Sequence, residues 1–126
     1  MKLVVANGCF DGLHAGHLRL LEFASRQGDR LVVLLNSDAS VRALKGPRRP
    51  IHSFDERLDA LSLVVGVDAV VLGFGELTAR RALEILRPAV LVKGVDVPRP
   101  WPGEEFAGEC RACPMLAGIS TTIMHP

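Results

Sequence analysis

An α/β domain with a doubly wound, mostly parallel sheet is what this sequence predicts, and three observations predict it. Short apolar runs alternate with helix-period segments along most of the 126 residues. The run Leu31-Val32-Val33-Leu34-Leu35 is apolar at every position, as a strand covered by helices on both faces must be. A glycine-rich turn, residues 7–17, joins the first apolar run to the first helical pattern. Together these describe repeated β-α units, hence a Rossmann-like sheet of five strands with helices on both faces and right-handed crossovers. One domain covering residues 1–126 suffices, and at this length roughly two-thirds of the extended-chain surface is buried on folding.

The elements follow in order. Leu3-Val4-Val5-Ala6 reads as a strand, and Leu18, Leu20, Leu21 and Ala24 give a helix that ends near Gly28. After the strand at 31–35, Asn36-Ser37-Asp38 offers caps for a short helix through Val41 and Leu44. Lys45-Gly46-Pro47-Arg48-Arg49-Pro50 is a basic loop whose prolines bar regular structure. Ser53 and Glu56 have the spacing of a capping box, with Phe54, Leu58, Leu61 and Val65 following at helical intervals. A third strand spans Val67 to Leu72. Thr78 is then read as the cap of a helix carrying Ala79, Leu83 and Leu86, which Arg87-Pro88 closes. Val90-Leu91-Val92-Lys93 is a fourth strand. From Gly94 to Gly108 the prolines predict an irregular loop with one turn around Glu104–Phe106, and a fifth, weak strand is expected over Arg111 to Met115.

Composition removes several classes of partner. Fifteen basic against fourteen acidic side chains exclude a partner held by bulk charge, such as a nucleic acid duplex or an anionic membrane. Five consecutive apolar residues cannot cross a bilayer, and the N-terminus lacks a secretory pattern, so a cytoplasmic protein is expected. Three cysteines, an odd number, make no disulfide framework and fit a reducing compartment. Cys110 and Cys113 form a C-x-x-C pair, but zinc needs four ligands and no second pair accompanies them. On a strand their odd spacing also sends the thiols to opposite faces.

The chemistry concentrates in Asn7-Gly8-Cys9-Phe10-Asp11-Gly12-Leu13-His14-Ala15-Gly16-His17. A turn at the carboxyl edge of a parallel strand, leading into a helix N-terminus, presents unpaired N–H groups to an anion. His14 and His17, three residues apart, share one helical face. The glycines make neither the G-x-G-x-x-G of dinucleotide sites nor a Walker A loop. What is left is His-x-Gly-His at a helix start, with Lys45, Arg57, Lys93, Ser120 and Thr121 as donors farther along the chain.

These residues resemble the signature of the cytidylyltransferase-like nucleotidyltransferase superfamily. The similarity continues through Asn36-Ser37-Asp38-Ala39-Ser40-Val41-Arg42, Leu44-Lys45-Gly46-Pro47, the helix of Arg57, Leu91-Val92-Lys93-Gly94 with Asp96, and Ile119-Ser120-Thr121-Thr122. Within it, the chain is most similar to the D-glycero-D-manno-heptose 1-phosphate adenylyltransferases. Val65 and Met115 stand where the glycerol-3-phosphate cytidylyltransferases carry arginines.

The resemblance implies a reaction in which an oxygen of a sugar 1-phosphate attacks the α-phosphorus of ATP and pyrophosphate leaves, with Mg²⁺ carried by the phosphates rather than by side chains. It implies His14, His17 and Lys45 as the catalytic groups, with Lys45 also touching the sugar phosphate beside Asp11 and Arg57. Cys9, Phe10, Gly16, Lys93, Gly94, Asp96, Ser120 and Thr121 are implied to hold the nucleotide, and a homodimer is implied. Two other readings stand beside it: a glycerol-3-phosphate-type cytidylyltransferase using CTP, and a nucleotide-binding module without turnover. Relative to the family pattern the loop at 97–107 is short and proline-rich, with Val97 where an aromatic residue is usual. We therefore expect that loop to become ordered when ligand binds.

Overall fold

The computed structural model describes residues 1–73 and 76–114. The chain forms β1 (Leu3–Gly8), α1 (Ala15–Ser25), β2 (Arg30–Asn36), α2 (Asp38–Lys45), α3 (Phe54–Ser62), β3 (Ala69–Gly73), α4 (Glu76–Leu86), β4 (Val90–Gly94) and β5 (Glu109–Cys113). A single 3-10 turn spans Glu104–Phe106. The strand order is β3-β2-β1-β4-β5. Every pairing is parallel, so the sheet expected to be mostly parallel is wholly so among the described residues. The chain starts at the centre and winds outward first one way, then the other, which makes the carboxyl end of β1 the switch point of the sheet.

Local chemistry sets the helix starts. Ser37 Oγ accepts from the Ser40 N–H at 3.1 Å and caps α2. Ser53 and Glu56 complete the reciprocal capping box of α3. α4 begins at Glu76, so Thr78 lies within the helix and does not cap it. β5 starts two residues earlier than the hydropathy pattern places it. The Gly108 and Glu109 N–H groups already bond Pro88 and Ala89 carbonyls, which opens the ladder there.

Two cores sandwich the sheet. Val4 and Ala6 of β1, Leu31, Val33 and Leu35 of β2, and Val90 and Val92 of β4 pack with Leu21 and Ala24 of α1 and Leu61 of α3. On the other face Val5, Leu34 and Leu91 pack with Leu83 of α4 and with Trp101. The alternation along each strand is the cause, and burying each leucine or valine contributes about 1.5–3 kcal/mol. Cys113 belongs to the first core and Cys110 to the edge of the second, so the C-x-x-C thiols do face apart.

The loop at 97–107 follows the irregular path with one turn at Glu104–Phe106 that its prolines predict, and the chain's own side chains hold it. Trp101 is 2% exposed, its indole Nε1–H donates to the Val97 carbonyl at 3.1 Å, and Arg99 stacks over its ring. The Glu104 carboxylate accepts from the Trp101 N–H and pairs with Arg99. A buried indole anchors the segment where the prolines read as irregular.

Candidate active site

β1 delivers the glycine-rich turn to the sheet's carboxyl edge, and Phe10 decides its shape. Phe10 adopts φ +47°, a left-handed conformation that disfavours a bulky residue by about 1–2 kcal/mol. Burial offsets it: the ring is 3% exposed and meets the His17 imidazole edge-on, centroids 5.4 Å apart. Gly8 leaves that ring its place, since a Cβ there would stand 3.0 Å from Phe10 Cε2.

His14 is the N-cap of α1. Its Nδ1 accepts from the Gly16 N–H at 3.1 Å, so the ring proton sits on Nε2 and that edge is a donor. The His14 and His17 rings stack, centroids 3.9 Å apart and planes 24° from parallel. Two imidazoles are thus locked together over a helix N-terminus, where the helix dipole favours an anion.

Cations from distant parts of the sequence converge on the same turn. The Cys9 thiol is raised above its ordinary pKa by burial, while the positive charges of Lys45, Arg57 and Lys93 pull it down. Lys45 acts from the last residue of α2, and Lys93 from β4. Asp96 folds back over Gly94, whose missing side chain makes room: a Cβ there would sit 2.6 Å from Asp96 Oδ1. Cys9, Phe10, Gly16, His14, His17, Lys45, Lys93, Gly94 and Asp96 therefore all stand at the carboxyl ends of β1, β2 and β4 or on the elements leaving them. Ser120 and Thr121 lie outside the described residues, as does Met115.

Arg57 and Asp11, implied by the resemblance to touch the sugar phosphate, bond segments of the protein itself. The Arg57 side chain is fully buried. Its guanidinium donates to the carbonyls of Cys9 (2.8 Å), Asn36 (2.8 Å) and His52 (3.0 Å) and to Asp38 Oδ1 (2.7 Å). Four of five N–H donors are thereby spent, and the planar fork reaches three separate segments at once: the turn at Cys9, the β2–α2 junction at Asn36 and Asp38, and the loop at His52. Asp11 accepts from the backbone N–H groups of Ile51 (2.7 Å) and His52 (2.8 Å), with Arg49 at 3.6 Å. Burial alone would raise its pKa, but those two hydrogen bonds and the Arg49 charge outweigh it and hold the carboxyl below the ordinary aspartate value. Arg57 and Asp11 brace the glycine-rich turn against the segments around it.

Sequence reasoning passed over the edge amides. Asn36, 8% exposed, donates from Nδ2 to Ser40 Oγ at 3.2 Å, and Asn7, half-buried, follows the buried part of β1. Their signal was an asparagine at the last position of an otherwise apolar strand run, where β propensity disfavours it. Among the described residues no three His, Cys, Asp or Glu groups stand close enough to hold a metal ion. Beside the Asp11 and Asp96 carboxylates and the Cys9 thiol, the turn is bordered by imidazoles, ammonium groups and N–H donors, which suit phosphate oxygens.

The family model described as cytidylyltransferase-like matches residues 5–123. The chain belongs to the cytidylyltransferase-like family. This cytidylyltransferase-like chain is 48% identical over 128 residues to a protein named bifunctional protein HldE from Chromohalobacter salexigens, covering 98% of this chain and 27% of that protein. It is equally close to the HldE of Koribacter versatilis, over 126 residues, 96% of this chain and 26% of the other. In Azotobacter vinelandii HldE, 95 residues are 56% identical, 75% of this chain and 20% of that one. The chain spans about a quarter of the length of these relatives. Its fold matches the crystal structure of a lipopolysaccharide core biosynthesis protein from Thermoplasma volcanium GSS1. There the TM-score is 0.71 and the identity 31%, over 79% of this chain and 80% of the other. No described helix is long and apolar enough to cross a membrane.

Proposed function

We propose that this chain transfers AMP from ATP to a sugar 1-phosphate, a heptose 1-phosphate in particular, releasing pyrophosphate and forming an ADP-sugar. The observation that supports it best is the stacked His14–His17 pair at the open N-terminus of α1, with Lys45 and Lys93 converging on Cys9 beside it. A phosphate monoester, with its second pKa about 6, is already a competent nucleophile at neutral pH, so the site needs positioning and positive charge rather than a base. That is what these residues offer.

In this reading the nucleotide's α-phosphate sits over His14 Nε2 and His17, and Lys45 draws the sugar phosphate toward it. A sugar-phosphate oxygen bonds to the α-phosphorus, and the bond to the oxygen bridging the β-phosphate breaks as pyrophosphate departs with the electron pair. The imidazoles and helix N–H groups hold the charge that develops on the phosphate oxygens; removing one such donor lowers the rate by about 10²–10³. Mg²⁺ arriving with the nucleotide would supply charge neutralisation, since no described side-chain cluster would hold it. Asp96 and the backbone at Gly94 address the nucleoside, and Ser120 and Thr121 the departing phosphates. A cytoplasmic homodimer completes the reading; Leu63 and Val65, 85% and 96% exposed after α3, give such a contact an apolar surface.

The choice of ATP over CTP rests on the likeness to the heptose branch, including Val65 and Met115. The test is pyrophosphate release with ATP and with CTP against a panel of sugar 1-phosphates and glycerol 3-phosphate. ATP with heptose 1-phosphate should be the best pair. Release with CTP and glycerol 3-phosphate alone would make the chain a cytidylyltransferase. ATP binding with no release on any acceptor would leave only a binding module.

A further inference from the structure

Three adjacent strands end in polar side chains on one face of the sheet. Alternation places Val5 and Asn7 of β1, Leu34 and Asn36 of β2, and Leu91 and Lys93 of β4 on the same face. Val5, Leu34 and Leu91 are completely buried in the core beneath α4 and Trp101. One step toward the carboxyl edge the row turns to Lys93, Asn7 and Asn36. On the opposite face the same step carries Gly8 and Gly94, and that is the face on which α1 packs.

Asn36 is accounted for, its side-chain amide by Ser40 and its backbone carbonyl by Arg57. Asn7 is not. It is half-buried, and its Oδ1 is sealed from water with no hydrogen-bond partner. A buried acceptor without a donor destabilises a fold, and such groups are retained where they do something other than hold it together. Its position says what. β1 pairs with β2 through Gly8, yet with β4 only through Ala6, so β1 and β4 part at Asn7. This is the crevice where open α/β sheets take their ligands.

We propose that Asn7 is a specificity-determining residue whose side-chain amide hydrogen-bonds hydroxyl groups of the acceptor sugar, on the sheet face opposite α1, flanked by Asn36 and Lys93. The proposal rests on the transferase reading for the identity of the ligand. In-line displacement sets the attacking group and the leaving pyrophosphate on opposite sides of the α-phosphorus. The multiply charged pyrophosphate belongs with the imidazoles and the helix N-terminus. The acceptor then approaches from the face of Asn7 and Asn36, with Lys93 at its edge. An amide both donates and accepts, so it matches a hydroxyl, whereas it cannot compensate a phosphate's charge.

Asn7→Leu, close in volume and unable to hydrogen-bond, separates this from a structural role. The readouts are the thermal midpoint and calorimetric binding of ATP and of sugar 1-phosphates, which need no turnover. The expected result is an unchanged or higher midpoint, ATP affinity within about twofold, and sugar-phosphate affinity lower by about tenfold to a hundredfold, the discrimination typical of a site built around a ligand hydroxyl. Asn7→Ser, smaller and still polar, should recover part of the affinity and serves if the leucine variant does not fold. For a deoxy sugar phosphate lacking the recognised hydroxyl, wild type and Asn7→Leu should bind alike. A lower midpoint with unchanged affinities would overturn the proposal, as would a loss confined to ATP or a wild type that binds no sugar phosphate. Acceptor binding that depends on Asn7 without pyrophosphate release would refute the transferase reading alone.

Discussion

Arg57→Met removes the buried guanidinium and leaves its four acceptors. Of these, the Asp38 carboxylate is 42% exposed and can be rehydrated, and His52 lies at the surface, so neither adds much. The Asn36 carbonyl is different, because its bond to Arg57 is buried, and the Cys9 carbonyl is part-buried. Leaving a buried acceptor unsatisfied is worth about 1–3 kcal/mol, so these two together give a destabilisation of roughly 2–4 kcal/mol. For a chain of this size that is a fall of about 10 °C in thermal midpoint. The turn bearing Cys9 loses its tether at the same time. A displacement of about 1 Å in a reacting group can lower turnover a hundredfold, so kcat should fall with little change in the KM for the sugar phosphate. Arg57→Lys keeps the charge but cannot span four acceptors, and should lie between the two. Differential scanning calorimetry with steady-state kinetics decides it. A normal midpoint with a raised sugar-phosphate KM would return Arg57 to the substrate and refute the bracing role.

Two further expectations follow from the same edge. The Cys9 thiol is raised by burial and lowered most by Lys45 among the charges around it, so Lys45→Met should move the pH profile of Cys9 alkylation upward, read by mass spectrometry against Cys110; an unmoved profile would separate Lys45 from the turn. Asp11 has a folded-state pKa below the ordinary carboxylate value, so its contribution is fully present above that value and is lost as pH falls through the depressed one. Asp11→Asn should therefore flatten the acid limb of the stability curve below about pH 4 and raise hydrogen exchange at Ile51 and His52; an acid limb identical to wild type would show the brace to be idle.

The scaffold was legible where the signal is local. Ser37 and the Ser53–Glu56 box are set by contacts within four residues, and the apolar run at 31–35 announces a strand covered on both faces. The braces were not legible, because their partners are remote. Arg57 reads as an ordinary arginine in a helix's first turn until its bond to Cys9, 48 residues away, is seen. Asp11 likewise reads as a turn residue until it meets Ile51, 40 residues on. The irregular path of the loop at 97–107 was legible from its prolines, which report local geometry, whereas the burial of Trp101 that anchors it depends on remote packing and was not. Of the candidate site, the histidine pair and Lys45 were visible as a motif. The orphaned amide of Asn7 was invisible, since a missing hydrogen bond leaves no trace in a string of letters.

The close fit of Gly8 against the Phe10 ring bears on how the motif itself should be understood. A glycine beside a phosphate turn is ordinarily credited to the ligand, yet here the space it leaves is already filled by the protein's own benzyl group. Gly8 and Phe10 therefore form one steric unit, and neither is free to drift alone. A methyl group at position 8 becomes admissible when position 10 shrinks, and that exchange would withdraw the edge support from the His17 ring while leaving every phosphate-facing atom type unaltered.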